Sequence, residues 1–419
     1  MSLSIRDVLL PDGRRTTIHV EGSRIEEIGR KREADVTIDG RGKALLPGLV
    51  NTHTHAAMTL LRGYADDMDL QEWLSTKIWP AEARLTPEAV YWGTKLACLE
   101  MIRSGTTCFN DMYFHMDYAA KAVAETGIRG VLCEGFIDLF DPDRAEKELR
   151  TTRKVVRIIE AMRNPRIQPA LGPHAVYTTS ESSLLELIGD AEDHGYIIHT
   201  HMSETRSEVE ETRKRVGKTP VAYLDSIGGL GEHVVAAHAV WVSDSEIRTL
   251  AERLVKVAHC PISNMKLAVG GAMPLAAMRT AGVPVSLGTD GAASNNNLDM
   301  FQTMKVAALL HKQATSRPTA ATAREVFDMA TAGGARALHL DAGEIAPGKL
   351  ADLVLIDLRR PDLTPVHNLV SNLVYAATGD CVDTVICDGR VVMQDRRVAG
   401  EAETLESATK FAAKLVETT

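Results

Sequence analysis

The texture of apolar and polar positions changes twice along the chain. Residues 1–44 alternate short apolar runs with turn residues, TTIHV, then SRIEEIG, then ADVTIDG, a pattern that predicts a small antiparallel sheet. The same texture returns from residue 345 in KLADLVLIDL (349–358) and DTVICDGRVVM (383–393), and a helical period predicts an amphipathic helix near 404–417. The two ends, 1–48 and 345–419, are therefore expected to build one composite β-rich domain.

Between them, residues 49–344 switch to short apolar runs separated by longer stretches of helical period, the mark of βα units and a parallel sheet. Eight runs stand out: ALLPGLVNTHT, TTCFNDMY, GVLCEGFID, IQPALGPHAVY, YIIHTHMS, VVAAHAVWV, VKVAHCPIS and VPVSLGTDG. Eight such repeats predict a (β/α)8 TIM barrel, a fold that typically takes about 250 residues. A doubly wound open sheet is the competing layout, but the first run is not followed by the GxGxxG of a dinucleotide fold.

Barrel sites gather where the strands end, so the polar residues closing each run are the candidates for chemistry. Run one ends in His53 and His55, run four in His174, run five in His199, His201 and Glu204, run six in His238, run seven in His259 and run eight in Asp290. A strand repeats every two residues, so His53 and His55 point to the same side and can share one ion. A lone histidine in an apolar strand is more often a hydrogen-bonded core residue, and His199 and His259 are read that way. For His53, His55, His201 and Asp290 the joint placement favours a site for zinc or a similar divalent ion. Such an ion brings the pKa of its water from about 15.7 to near 7, so hydrolysis is the expected chemistry. Glu204, three residues beyond His201, is placed to shuttle a proton, although taken alone it reads as a solvated loop carboxylate.

Composition narrows the partners. Lys and Arg total 47 against 56 Asp and Glu, a net charge of −9 without long runs of one sign, so neither nucleic acid nor an anionic membrane is an expected partner. MSLSIRDVLL lacks the build of a secretory signal and no apolar run approaches the roughly 20 residues that span a bilayer, so a cytoplasmic location is expected. Cysteines 98, 108, 133, 260, 381 and 387 lie in apolar segments without CxxC spacing, which suits reduced thiols and leaves His and carboxylate to hold any metal.

PGLVNTHTH, HTHMSE, AAHAVW, HCPISNMKLAVGG and SLGTDGAASNNN, in this order, resemble the amidohydrolase superfamily, and within it the deaminases and chlorohydrolases of nucleobase-like rings. The resemblance extends through GEIAPGKLADLVLID (343–357), nearly the whole chain. It implies a distorted (β/α)8 barrel with a small β-sandwich built from both termini. It also implies metal ligation by His53, His55, His201 and Asp290, proton shuttling by Glu204, and orientation of the attacking water by His238 with Asp290. Binuclear relatives bridge two metals through a carboxylated lysine at strand four; IQPALGPHAVYTTS has no lysine, so one ion per subunit is expected, zinc first, with iron, manganese or nickel as alternatives.

Residues 58–88, MTLLRGYADDMDLQEWLSTKIWPAEARLTPE, are similar to the loop after strand one in 5'-methylthioadenosine/S-adenosylhomocysteine deaminases. That similarity implies a nucleoside substrate whose ribose is held by Glu82, with His174 also in contact, Trp73 flanking the 5' side, and Glu204 and Asp290 at the base. Read alone, DLQEWLSTKIW is an ordinary amphipathic helix with its tryptophans on the packed face. Members that favour S-adenosylhomocysteine carry an arginine just after strand three, where this chain has Glu134 and Gly135. A carboxylate does not attract a carboxylate, so neutral 5' groups are expected, in the manner of 5'-deoxyadenosine deaminases. The alternative is a sister enzyme acting on a free base or a triazine-like ring. Relatives imply a homo-oligomer, such as a tetramer.

Overall fold

The computed structural model describes residues 1–30, 32–68 and 70–416. Eight strands, Leu49–Thr54, Thr106–Tyr113, Arg129–Phe136, Ile167–Pro173, Ile197–Met202, Val234–His238, Lys256–His259 and Val285–Leu287, lie side by side in chain order. Every neighbouring pair is parallel. Helices such as Pro87–Arg103, Met116–Thr126 and Glu181–His194 cover the outside, so the strands are buried on both faces and read as unbroken apolar runs.

The barrel is distorted where it closes. Strand eight has three residues and forms no ladder with strand one among the described residues. Side chains close the gap instead. Asn51 donates to Thr289 Oγ1 at 2.7 Å and accepts Thr289 N–H at 3.0 Å, and Thr52 donates to the Leu287 carbonyl at 2.9 Å.

A second sheet joins the two ends of the chain. Lys43–Pro47 runs antiparallel to Leu353–Asp357, with Leu45 opposite Leu355. The sheet is mixed rather than antiparallel as expected. Ser2–Leu9 pairs antiparallel with Arg15–Glu21, but parallel with Val36–Asp39 through Leu3–Arg6 and with Lys43–Pro47 at Leu9. Its register breaks between Ile5 and Val8, around Asp7 at φ 59°, so the two halves of one strand serve different neighbours. Leu3, Ile5, Ile18, Val20, Leu45 and Leu353 fill the core beneath it.

Two expectations are corrected in detail. ALLPGLVNTHT is two strands, Lys43–Pro47 in the second sheet and Leu49–Thr54 in the barrel. Gly48 makes the crossing, where a Cβ would overlap the Thr107 side chain. The last helix spans Glu401–Val416 and packs on the barrel helix Pro87–Arg103, with Arg103 3.0 Å from Glu401, while Glu417 lies outside the described residues. Buried Arg129, on strand three, ties barrel to sheet by pairing with Asp352 and Asp388, each at 3.0 Å. Among the described residues, no helix is long and apolar enough to cross a membrane.

Candidate active site

Four side chains from strands one, five and eight meet at one end of the barrel. Asp290 Oδ1 is 3.3 Å from both His53 Nε2 and His55 Nε2, and His55 Nε2 is 3.3 Å from His201 Nε2. Two of the rings are oriented by their other nitrogen: His55 Nδ1–H donates to the Met112 carbonyl at 2.6 Å and His201 Nδ1–H to the His174 carbonyl at 2.8 Å. A carbonyl only accepts, so both rings turn a bare Nε2 lone pair toward the common point. His53 Nε2 is buried and finds no hydrogen-bond partner, a costly arrangement that a divalent ion would relieve. Three imidazoles and a carboxylate suit zinc or a similar borderline ion.

The electrostatics agree with that use. Burial brings His53 down to about 4, against the opposing pull of Asp290, and holds His201 well below its ordinary range. Burial alone would raise Asp290, but its contact with His53 and the charges of the neighbouring histidines keep it well below the usual carboxylate range. Neutral imidazoles beside an ionised carboxylate are the state that binds metal. Asp290 Oδ2 also accepts from Ser263 at 2.5 Å and Ser294 at 3.0 Å.

Glu204 and His238 stand beside this cluster. Ser203 at φ 51°, His238 at 73° and Asp290 at 64° adopt left-handed backbone where strands five, six and eight end, conformations that non-glycine residues hold only under surrounding constraint. Thr205 then caps the helix Arg206–Val216 by accepting Glu208 N–H at 3.1 Å. Burial raises Glu204 above the usual carboxylate range, with Asp290 adding to the rise and His238 opposing it. His238 Nδ1 lies 2.8 Å from Asn264 Oδ1 and 3.8 Å from Glu204. Burial would lower His238, yet the carboxylates of Glu204 and Asp290 outweigh it and raise the ring.

Above the cluster opens a partly enclosed cavity, the kind of concave site that takes a small molecule. His55, His201, Glu204, His238 and Asp290 reach it from below, and Trp73, Phe114, Ile137 and Tyr177 supply apolar walls. Glu82 and His174 also line it; no lysine or arginine does among the described residues. Burial lifts Glu82 to about 7, slightly opposed by the nearby Tyr113 hydroxyl. His174 Nδ1 contacts Thr178 Oγ1 at 2.9 Å, and burial takes its ring down to about 3. The segment from Leu70 is not one amphipathic helix. It runs as Leu70–Trp73, a π-turn at Leu74–Ile78, then Trp79–Glu82, which lets both Trp73 and Glu82 reach the cavity. Trp73 Nε1–H is spent on the Ala65 carbonyl at 2.8 Å, leaving an apolar face.

Glu134 is a correction. Its carboxylate turns away from the cavity and accepts His115 N–H at 3.0 Å and Met116 N–H at 2.9 Å, at the start of the helix Met116–Thr126. Gly135, one strand position on, lines the cavity instead. Glu134 is therefore not placed to meet a 5' tail, and among the described residues the cavity lining has no lysine or arginine to attract an acidic one. His199 is the hydrogen-bonded core residue expected, but its partner is His53. Ser263, Asn264, Ser294 and Glu208, all supporting contacts here, were not singled out by the sequence. Glu208 carried a signal, since it lies four residues beyond Glu204 on the helix that follows.

The amidohydrolase family model matches residues 44–392. The chain is 54% identical over 407 residues to the 5'-deoxyadenosine deaminase of Methanothermobacter thermautotrophicus, covering 96% of this chain and 94% of that one. It is 51% identical to the 5-methylthioadenosine/S-adenosylhomocysteine deaminase 1 of Archaeoglobus fulgidus, over 95% and 94% of the two chains. The crystal structure of an adenosine deaminase from Xanthomonas campestris with bound zinc matches with a TM-score of 0.92 at 34% identity, over 99% of this chain and 98% of that one. With a family model spanning most of its length and relatives matched nearly end to end, the chain belongs to the amidohydrolase family.

Proposed function

We propose that this chain hydrolytically deaminates 5'-modified adenosines, such as 5'-deoxyadenosine, 5'-methylthioadenosine and S-adenosylhomocysteine, to the matching inosines and ammonia. One observation carries the reading: a cluster of metal-binding type, a buried acid and a buried histidine share the floor of a cavity that Glu82 and His174 also line. The names borne by the Methanothermobacter and Archaeoglobus relatives support the substrate class. In this reading His53, His55, His201 and Asp290 hold one divalent ion, and the zinc of the Xanthomonas enzyme favours zinc. The strand Ile167–Pro173 has no lysine to bridge a second ion. When bound, the ion supplies a water acidic enough to react near neutral pH.

The chain's own groups then move the protons. Glu204, whose proton affinity burial raises, gives a proton to N1 of the purine, which makes C6 electrophilic. His238 Nδ1–H donates to Asn264 Oδ1, so its other ring nitrogen accepts a proton as water oxygen bonds to C6. His238 passes that proton to the 6-amino group. The C6 hydroxyl proton returns to Glu204 as the C–N bond breaks, leaving a 6-oxo purine with hydrogen on N1, and ammonia. Glu82 accepts from the ribose hydroxyls, and Trp73 shields the 5' end.

The test is a rate comparison across adenosine, 5'-deoxyadenosine, 5'-methylthioadenosine and S-adenosylhomocysteine, followed by loss of adenine absorbance and release of ammonia. Turnover of free bases or triazines with none of the four nucleosides would overturn the proposal.

A further inference from the structure

His53 differs from the other two histidines of the cluster in what holds it. His55 and His201 lean on carbonyls, so their hydrogen positions are settled. His53 Nδ1 lies 2.7 Å from His199 Nε2, and two imidazole nitrogens leave the direction of that bond open. Two further contacts decide it. His199 Nδ1 is 3.6 Å from Cys133 Sγ, and Cys133 Sγ is 3.1 Å from the Asp111 carbonyl oxygen. His53, His199 and Cys133 are all fully buried.

A carbonyl cannot donate, so the Cys133 S–H donates to Asp111 O. The sulfur then accepts from His199 Nδ1–H, which leaves His199 Nε2 bare to accept from His53 Nδ1–H. The order ends on an unprotonated His53 Nε2, the nitrogen that makes no hydrogen bond and faces Asp290 Oδ1 in the cluster at 3.3 Å. The opposite order would press a sulfur lone pair against the Asp111 oxygen at 3.1 Å and put a hydrogen on the nitrogen needed for ligation.

We infer that Cys133 and His199 are positioning residues, a hydrogen-bond relay running from strand three through strand five to strand one that fixes the His53 tautomer for metal binding. The inference rests on the proposed ligand role of His53, and neither residue touches ion or substrate. Partners of a metal-bound histidine orient its ring and raise its basicity, and their loss typically weakens metal binding about 10–100-fold. A buried free cysteine is otherwise a small apolar filler. In that case Cys133→Ala would bind metal at least as well as Cys133→Ser, whereas the relay requires the reverse order.

The experiment measures zinc affinity of the metal-free full chain by competition with a chelating dye, alongside thermal unfolding of each metal-free variant. His199→Phe, which cannot accept a hydrogen bond, is expected to weaken zinc about 10–100-fold. His199→Gln, whose side-chain oxygen can accept from His53, is expected to recover most of that loss, and Cys133→Ser is expected to bind more tightly than Cys133→Ala. Nitrogen-15 spectra of the zinc-loaded parent are expected to show hydrogen on Nδ1 of both His53 and His199, a readout that needs no variant to fold. Hydrogen on His199 Nε2, or a His199→Phe chain within about threefold of the parent, overturns the relay and leaves the metal reading standing. A parent chain that fails to bind zinc overturns both.

Discussion

Glu208 accepts the backbone N–H of Glu204 at 2.7 Å, and its other carboxylate oxygen accepts Ser203 N–H at 2.9 Å. Ser203 holds φ at 51°, a conformation that costs on the order of 1–3 kcal/mol unless its surroundings enforce it. One buried carboxylate thus fixes the backbone that presents the other. Glu208→Ala is expected to lower kcat about 100-fold with little change in KM, because a small misplacement of a reacting group costs about that much. Steady-state ammonia release checks it. A rise in KM at unchanged kcat would mean that Glu208 serves substrate binding instead.

Glu204 itself carries the proton to N1 in the proposed reaction. Glu204→Gln keeps the shape of the side chain and removes the transferable proton. Turnover is expected to fall about 100- to 10,000-fold, the usual span for a lost acid–base group, while zinc content measured by mass spectrometry stays at the parent level. Full turnover with metal bound would remove the shuttle role.

Glu82 should leave a mark on the pH profile. Burial raises its carboxyl from the ordinary 4.5 to about 7, so in the free chain the acid predominates below that value and the carboxylate above it. Only the ionised form offers both oxygens to ribose hydroxyls as acceptors. Nucleoside kcat/KM is therefore expected to rise with pH through about 7, and the same rise should be missing from Glu82→Gln. Glu82→Ala should depress turnover of nucleosides and leave any activity on free bases almost unchanged. Equal losses on both would place Glu82 outside ribose recognition.

The barrel was legible because its parallel strands, covered on both faces, appear as apolar runs that each close on a polar residue. His53 and His55 could be paired from strand periodicity alone, and they do converge with His201 and Asp290. What the runs could not show is how strand one divides at Gly48, because LLPGLV is apolar on both sides of the crossing. Nor could they show the direction of Glu134, since alternation along strand three says that Glu134 and Gly135 face opposite ways without saying which faces the cavity. Phe114, Ile137 and Tyr177 sit just beyond strand ends, where no periodicity marks them. His199 and Cys133 look like core filler in the sequence, and only the contact with His53 distinguishes them.

In the proposed reading, Gly135 is the position at which a substitution is expected to alter the preference for the 5' group. It lines the cavity, and a Cβ built there would have as its nearest neighbours the Tyr113 carbonyl oxygen at 3.4 Å and Phe114 Cε1 at 3.6 Å, ordinary contact distances. A side chain can therefore start from this position without displacing the strand, and the cavity holds no cation that it would duplicate among the described residues. A guanidinium placed among the apolar walls would pair with the carboxylate of an amino-acid tail in surroundings where a charge-assisted, bidentate contact is strong. It would also crowd small neutral tails. Gly135→Arg is accordingly expected to raise the ratio of kcat/KM for S-adenosylhomocysteine over 5'-deoxyadenosine about tenfold, roughly 1.4 kcal/mol of discrimination, and the gain should shrink in high salt. If the ratio stays level while both substrates weaken together, the 5' group does not lie against Gly135. The 5' tail would then run toward Trp73 and away from strand three.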